Sequence, residues 1–102
     1  MARLEYYPVE KLKKELKDIA AKYLDLKKYH LFFFGSRVTG KGSERSDIDV
    51  GIEGTKPVPI AALSSIKEEI ENLPILYKIE IVDFANVSSD FKKVAKKKIE
   101  KI

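Results

Sequence analysis

Two aspartates, Asp47 and Asp49, stand two residues apart in the stretch Ser46-Asp47-Ile48-Asp49-Val50-Gly51-Ile52. Alternation there reads as a strand from Asp47 to Ile52, with Ile48, Val50 and Ile52 on one face and Asp47, Asp49 and Gly51 on the other. Side chains two apart on a strand share a face, with Cα atoms roughly 6–7 Å apart. Two carboxylates so placed repel unless a cation sits between them. Hard divalent ions such as Mg²⁺ take oxygen ligands of this kind and bring phosphates with them. Gly35-Ser36 precedes the acidic pair, separated from it by ten residues, 37 to 46. Gly35 lets backbone approach a ligand closely, and a short helix over 36–39 would aim its amides at an anion. Gly40 and Gly42 keep the intervening turn pliable, and no Gly-Lys-Ser/Thr stands at the spacing of a Walker A loop.

These residues need a scaffold. Tyr29 to Phe34 reads as a strand, and its three consecutive phenylalanines do not alternate, so both faces should be buried, as in a central strand. His30 at its head is expected to be structural. From Val9, after Pro8, the positions Leu12, Leu16, Ile19, Ala20, Tyr23 and Leu24 make one face of an amphipathic helix that covers a sheet. A second helix is expected from Ile60 to Leu73, striped by Leu63, Ile66, Lys67 and Ile70 and ended at Leu73-Pro74. Tyr77 to Phe84 reads as a third strand. Ser88 or Ser89 should cap a last helix with Phe91, Val94, Ala95, Ile99 and Ile102 packed inward and its lysines outward. Gly51 is expected to keep the site face open beside Asp49. The order α-β-(short α)-β-α-β-α implies an α+β fold, a small mixed β-sheet flanked by helices.

Gly-Ser, ten residues and Asp-x-Asp in a strand–turn–strand setting resembles the active-site motif of the nucleotidyltransferase superfamily that includes DNA polymerase beta. With Gly35-Ser36-Arg37-Val38-Thr39-Gly40 and Ser46-Asp47-Ile48-Asp49, the chain looks most like the minimal nucleotidyltransferases (MNT), small stand-alone members found beside a helical HEPN partner. The resemblance runs from about Leu31 to Val87, and the flanking helices are compatible with it. It implies a polymerase beta palm-like nucleotidyltransferase fold, and Mg²⁺, as two ions, or Mn²⁺, held by Asp47, Asp49 and a third acid on the neighbouring strand. Glu80 and Asp83 are the two acids there, and being three apart they face opposite sides of a regular strand. In small family members with this spacing of acids the first is the metal ligand, which points to Glu80, in a place where the family usually has Asp. Asp83 would then pair with a lysine or cap the following turn. The resemblance also implies that Gly35, Ser36 and Arg37 hold the phosphates of ATP or another NTP. The implied activity is transfer of AMP to a tyrosine of a HEPN ribonuclease toxin, with Glu80 able to take the proton. Two other readings stand beside it. One is a nucleotide-binding antitoxin that acts by contact alone, which Glu80 in place of Asp favours. The other is a nucleic-acid-binding protein that uses the C-terminal lysines, although no aromatic residue other than Phe91 is interleaved with them.

The bulk numbers narrow the setting. At 102 residues the expectation is one domain, 1–102, with little room for a second module. The net charge of +4 is carried by residues 88–102, where six lysines meet two acids; the other 87 residues balance. Without cysteine and with a single histidine, disulfide frameworks, thiolate sites and histidine clusters are excluded. No apolar run approaches the roughly 20 residues of a membrane span, and the charged N-terminus lacks a signal-peptide core, so the expected setting is cytoplasmic.

Overall fold

Phe32, Phe33 and Phe34 are all buried because their strand, β1 (Tyr29–Phe34), has a neighbour on each edge and a packed layer on each face. The computed structural model describes residues 7–35, 38, 47–75 and 77–102, and among these four strands form one sheet in the order β3-β2-β1-β4. β2 (Ile48–Gly54) runs antiparallel to β1 and parallel to β3 (Ile79–Asp83). β4 (Glu100–Lys101) closes the other edge of β1, antiparallel to it. The helices are α1 (Val9–Ala21), α2 (Ile60–Glu71) and α3 (Ser89–Ala95). Parallel neighbours need a crossover, and α2 supplies it between β2 and β3. This is the small mixed sheet flanked by helices that the element order implied.

Period-two alternation splits the apolar residues into two cores. On one face Leu31, Phe33, Ile48, Val50, Ile52 and Ile81 meet Leu12, Leu16, Ile19 and Ala20 of α1 and Ile66 and Ile70 of α2. On the other, Phe32 and Phe34 surround Phe84, with Val82, Val87, Ala95 and Ile99 at the margin. The Phe84 ring meets Phe32 and Phe34 edge-on, at centroid distances of 4.9 and 5.1 Å. Such pairs contribute about 0.5–1.5 kcal/mol each beyond their burial.

Three expectations are corrected. α1 ends at Ala21, short of Leu24, and Lys22 and the half-exposed Tyr23 turn to Glu69 of α2, the former at 2.6 Å. α2 ends at Glu71, and its Lys67 faces solvent. The largest correction is at the C-terminus. α3 is capped by Ser88, whose Oγ accepts from the Phe91 amide at 3.1 Å, but it spans only Ser89–Ala95. Glu100 and Lys101 then pair with Phe33 and Phe32, and the Ile102 amide donates to the Leu31 carbonyl at 3.1 Å. Backbone groups on the open edge of β1 need partners, and this strand provides them. Ile99 joins the phenylalanine core and Ile102 the helix-side core. The same apolar spacing that suits a helix stripe thus serves a turn and an edge strand. Lys13 of α1 fixes the arrangement through Glu100 at 2.9 Å.

Candidate active site

The parallel register of β2 and β3 sets Asp49 directly beside Glu80, and the antiparallel register of β1 and β2 sets Phe34 on the other side of Asp49. Neighbouring strands lie about 4.8 Å apart, so these three side chains form a row across one face of the sheet. One step earlier, the Ile48 amide donates to the Lys78 carbonyl at 2.9 Å, which brings Asp47 alongside Lys78. Asp47, Asp49, Lys78 and Glu80 therefore form a two-by-two group, three acids and one cation.

The electrostatics follow from this placement. Burial first, then the charges of Asp47 and Glu80, hold the Asp49 carboxyl above its ordinary range. The Lys78 ammonium lies 3.0 Å from Glu80 Oε1. Its pKa is raised, chiefly by the hydrogen bond to Glu80, then by the charges of Glu80 and Asp47. Lys78 escaped sequence analysis, although its i, i+2 spacing from Glu80 places both on one face of the strand.

Gly35 closes the upper end of this face. Its φ of +81° lies in the left-handed region, and a Cβ there would stand 2.3 Å from Asp49 Oδ2. The glycine is needed twice, for the turn that ends β1 and for the approach of its backbone to the Asp49 carboxylate. Its carbonyl accepts from the buried Val38 amide at 3.2 Å. Ser36 and Arg37, expected to hold phosphates, lie outside the described residues, as do Gly40, Lys41, Gly42 and Arg45.

Asp83 is elsewhere. It sits on the opposite face of β3 from Glu80, 7% exposed, and accepts three hydrogen bonds. The donors are the Val58 amide at 2.9 Å, the Ala85 amide at 3.0 Å and Asn86 Nδ2 at 3.1 Å. It locks the chain entering α2 to the turn that leaves β3. Gly51 is also corrected: it does not hold the site face open. A Cβ there would come within 2.5 Å of the Phe32 ring and 2.7 Å of the Phe84 ring, so the space is filled with aromatic carbon.

A cleft of about 660 Å³ opens beside Asp49 and Glu80. Phe34, Val82, Phe91, Val94 and Ala95 line it, together with Gly35, Lys97 and Lys98. Phe91 and Val94, expected in the core, are 44% and 66% exposed and form this apolar wall. The packing of α3 against Phe34 and Phe84 through Phe91 places them there, which no local pattern in the sequence discloses.

As donors, Asp47, Asp49 and Glu80 offer hard carboxylate oxygens with excess negative charge, which suits Mg²⁺ or Mn²⁺. Among the described residues no three acidic or histidine side chains are gathered into a ready metal cage. Glu80 is turned to Lys78 instead.

A nucleotidyltransferase is the class that this fold and this carboxylate face define, and sequence comparison agrees. The family described as Polymerase beta, Nucleotidyltransferase matches residues 14–102, and the chain belongs to it. Among curated proteins, it is 32% identical over 69 residues to one from Haemophilus influenzae named probable protein adenylyltransferase MntA. That match covers 68% of this chain and 60% of the relative. Among solved structures, a toxin–antitoxin complex with AMP-PNP superposes with a TM-score of 0.68 at 15% identity, over 87% of this chain and 70% of the other. A Shewanella oneidensis MNT antitoxin complex with a tri-AMPylated HEPN toxin gives 0.66 at 12% identity, over 90% and 69%. At these identities the structural likeness shows the fold. No helix among the described residues is long and apolar enough to cross a membrane.

Proposed function

We propose that the chain is a metal-dependent nucleotidyltransferase that moves AMP from ATP to a tyrosine hydroxyl of a HEPN-type partner protein and so acts as its antitoxin. The observation that carries the reading is the register: Asp49 lies between Glu80 and the close-packed Gly35 turn, with Asp47 two residues away on the same face. The curated relative's name and the AMPylated partner in the Shewanella oneidensis complex support the choice of acceptor.

Asp47 and Asp49 would hold the metal, with Glu80, here paired with Lys78, as the third ligand. When bound, Mg²⁺ or Mn²⁺ supplies charge that stabilises the phosphates and makes the attacking hydroxyl more acidic. Gly35 offers backbone at the end of β1, and on the family resemblance Ser36 and Arg37 complete the phosphate contacts. The acceptor oxygen bonds to the α-phosphorus, the bond from that phosphorus to the bridging oxygen breaks, and pyrophosphate leaves. In this reading Glu80 takes the hydroxyl proton.

The test is to incubate the purified protein with ATP, Mg²⁺ and the HEPN protein encoded beside it, then weigh the partner by mass spectrometry. The expected result is an AMP adduct on a tyrosine, absent with Asp47→Ala/Asp49→Ala. An unmodified partner sinks the reading. The Lys78–Glu80 pair favours a second reading, in which nucleotide binds without turnover and the partner is masked by contact. Neutralisation of the toxin by the double variant would select it.

A further inference from the structure

We propose that Lys97 and Lys98, on the turn between α3 and β4, grip the polyphosphate tail of the nucleotide. The inference rests on the nucleotidyltransferase reading and adds to it a binding element outside the Gly-Ser and Asp-x-Asp motif. β4 fixes the location. Glu100 pairs with Phe33 in antiparallel register, so the chain approaching it passes Phe34 and Gly35. Lys97 and Lys98 consequently line the same cleft as Gly35, Asp49 and Glu80.

Two neighbouring lysines, Lys92 and Lys96, are already engaged. Glu53 of β2 takes Lys96 at 2.5 Å and Lys92 at 3.6 Å, and this pins α3 and its C-terminal turn to the sheet. The hydrogen bond from Lys96 is the main reason why the Glu53 carboxyl sits below its ordinary range. Lys97 and Lys98 have no ion-pair partner among the described residues. The cleft thus gathers two ammonium groups that pair with no described residue, two carboxylates and the exposed apolar side chains of Phe91 and Val94.

That pattern selects its ligand. A plain polyanion, such as a nucleic-acid strand or an acidic peptide, would satisfy the lysines and be repelled by Asp49 and Glu80. A metal-bound polyphosphate satisfies both sides, because its cation meets the acids and its outer oxygens meet the lysines. In the proposed reaction those oxygens belong to the leaving pyrophosphate, so the lysines also stabilise its departure.

Calorimetric titrations of Mg²⁺·ATP and of AMP into the whole chain test this. The variants are Lys97→Ala/Lys98→Ala and a control with the same charge change, Lys14→Ala/Lys93→Ala, at exposed positions outside the cleft. The expected result is Mg²⁺·ATP affinity weakened about tenfold or more by the first variant and unchanged by the control. AMP affinity should not move in either. Equal ATP affinity in the two variants overturns the proposal, as does a parallel loss of AMP affinity, which would signal damage to the fold. Loss of binding to a single-stranded RNA oligonucleotide with ATP binding intact also overturns it, in favour of a nucleic-acid surface. A wild type that binds neither ATP nor AMP overturns the nucleotide reading itself, and this inference with it.

Discussion

Removing Asp83 should unfold the protein far more readily than removing Glu80, and that contrast separates the two acids of β3. The Asp83 carboxylate is buried and accepts from Val58, Ala85 and Asn86. Hydrogen bonds to a charged group are worth about 1.5–3 kcal/mol net, and a buried donor left without a partner costs about 1–3 kcal/mol. Ala85 and Asn86 are exposed and can turn to water, whereas Val58 is buried and cannot. Asp83→Ala should therefore cost about 3–5 kcal/mol, a large part of the roughly 5–15 kcal/mol that holds a domain together. Glu80 is about half exposed and makes one ion pair with a lysine that is more exposed still. Surface pairs of this kind contribute about 0–1 kcal/mol, and losing Glu80 also relieves Asp49, so Glu80→Ala should change stability by less than about 1 kcal/mol. Urea denaturation at neutral pH reads both, with a midpoint shift above about 1 M expected for Asp83→Ala. Mg²⁺ titration of Glu80→Gln and the milder Asp83→Asn completes the comparison, with metal binding weakened only by the first. If Glu80→Ala proves as damaging as Asp83→Ala, or Asp83→Asn loses metal at near-normal stability, the assignment of the two acids is wrong.

Asp49→Asn should raise stability at neutral pH. The folded pKa of Asp49 lies above its ordinary value, so the folded state binds the proton more tightly and its ionisation weakens the fold as pH rises from the ordinary carboxylate range through the folded pKa. Melts without divalent ions should show the gain at pH 7 and its disappearance below the ordinary carboxylate range; a variant less stable than wild type at pH 7 contradicts the account. Gly35→Ala should cost about 1–2 kcal/mol from the left-handed backbone alone, and should weaken Mg²⁺ binding because the new Cβ displaces Asp49. Normal metal affinity in that variant would show that the turn does not position the carboxylate. Gly51→Ala should cost about 1–3 kcal/mol by overpacking Phe32 and Phe84, with Mg²⁺ affinity of the folded protein retained. Thermal melts and metal titration separate those two effects.

How much of this was legible depends on how local the cause is. The Asp47–Ile52 alternation and the Phe32–Phe34 run depend on neighbours in sequence, and both strands formed as their patterns require. The side-by-side placement of Asp49 and Glu80 is a matter of register between strands that α2 separates, and no window of sequence contains it. Opposite faces for Glu80 and Asp83 followed from their spacing, but the anchor of Asp83 lies at Val58, 25 residues away. Gly51 was misread because a glycine in a strand signals a close approach without naming what approaches; here it is the Phe32 and Phe84 rings.

The C-terminal segment shows why the misreading there bears on function. A helix continued to Ile102 would satisfy its own backbone and bury the same apolar residues. It would also leave the outer edge of β1 without partners and lift Lys97 and Lys98 away from Gly35. Ending α3 at Ala95 meets both needs with one turn: Ile99 seals the phenylalanine core, and Glu100 and Lys101 pair with the edge. Lys97 and Lys98 between them line the carboxylate cleft. The basic excess of this chain is concentrated where the fold brings the chain back to its acidic face. A charge count finds that excess, but only the topology shows that two of its lysines share a cleft with Asp49 and Glu80.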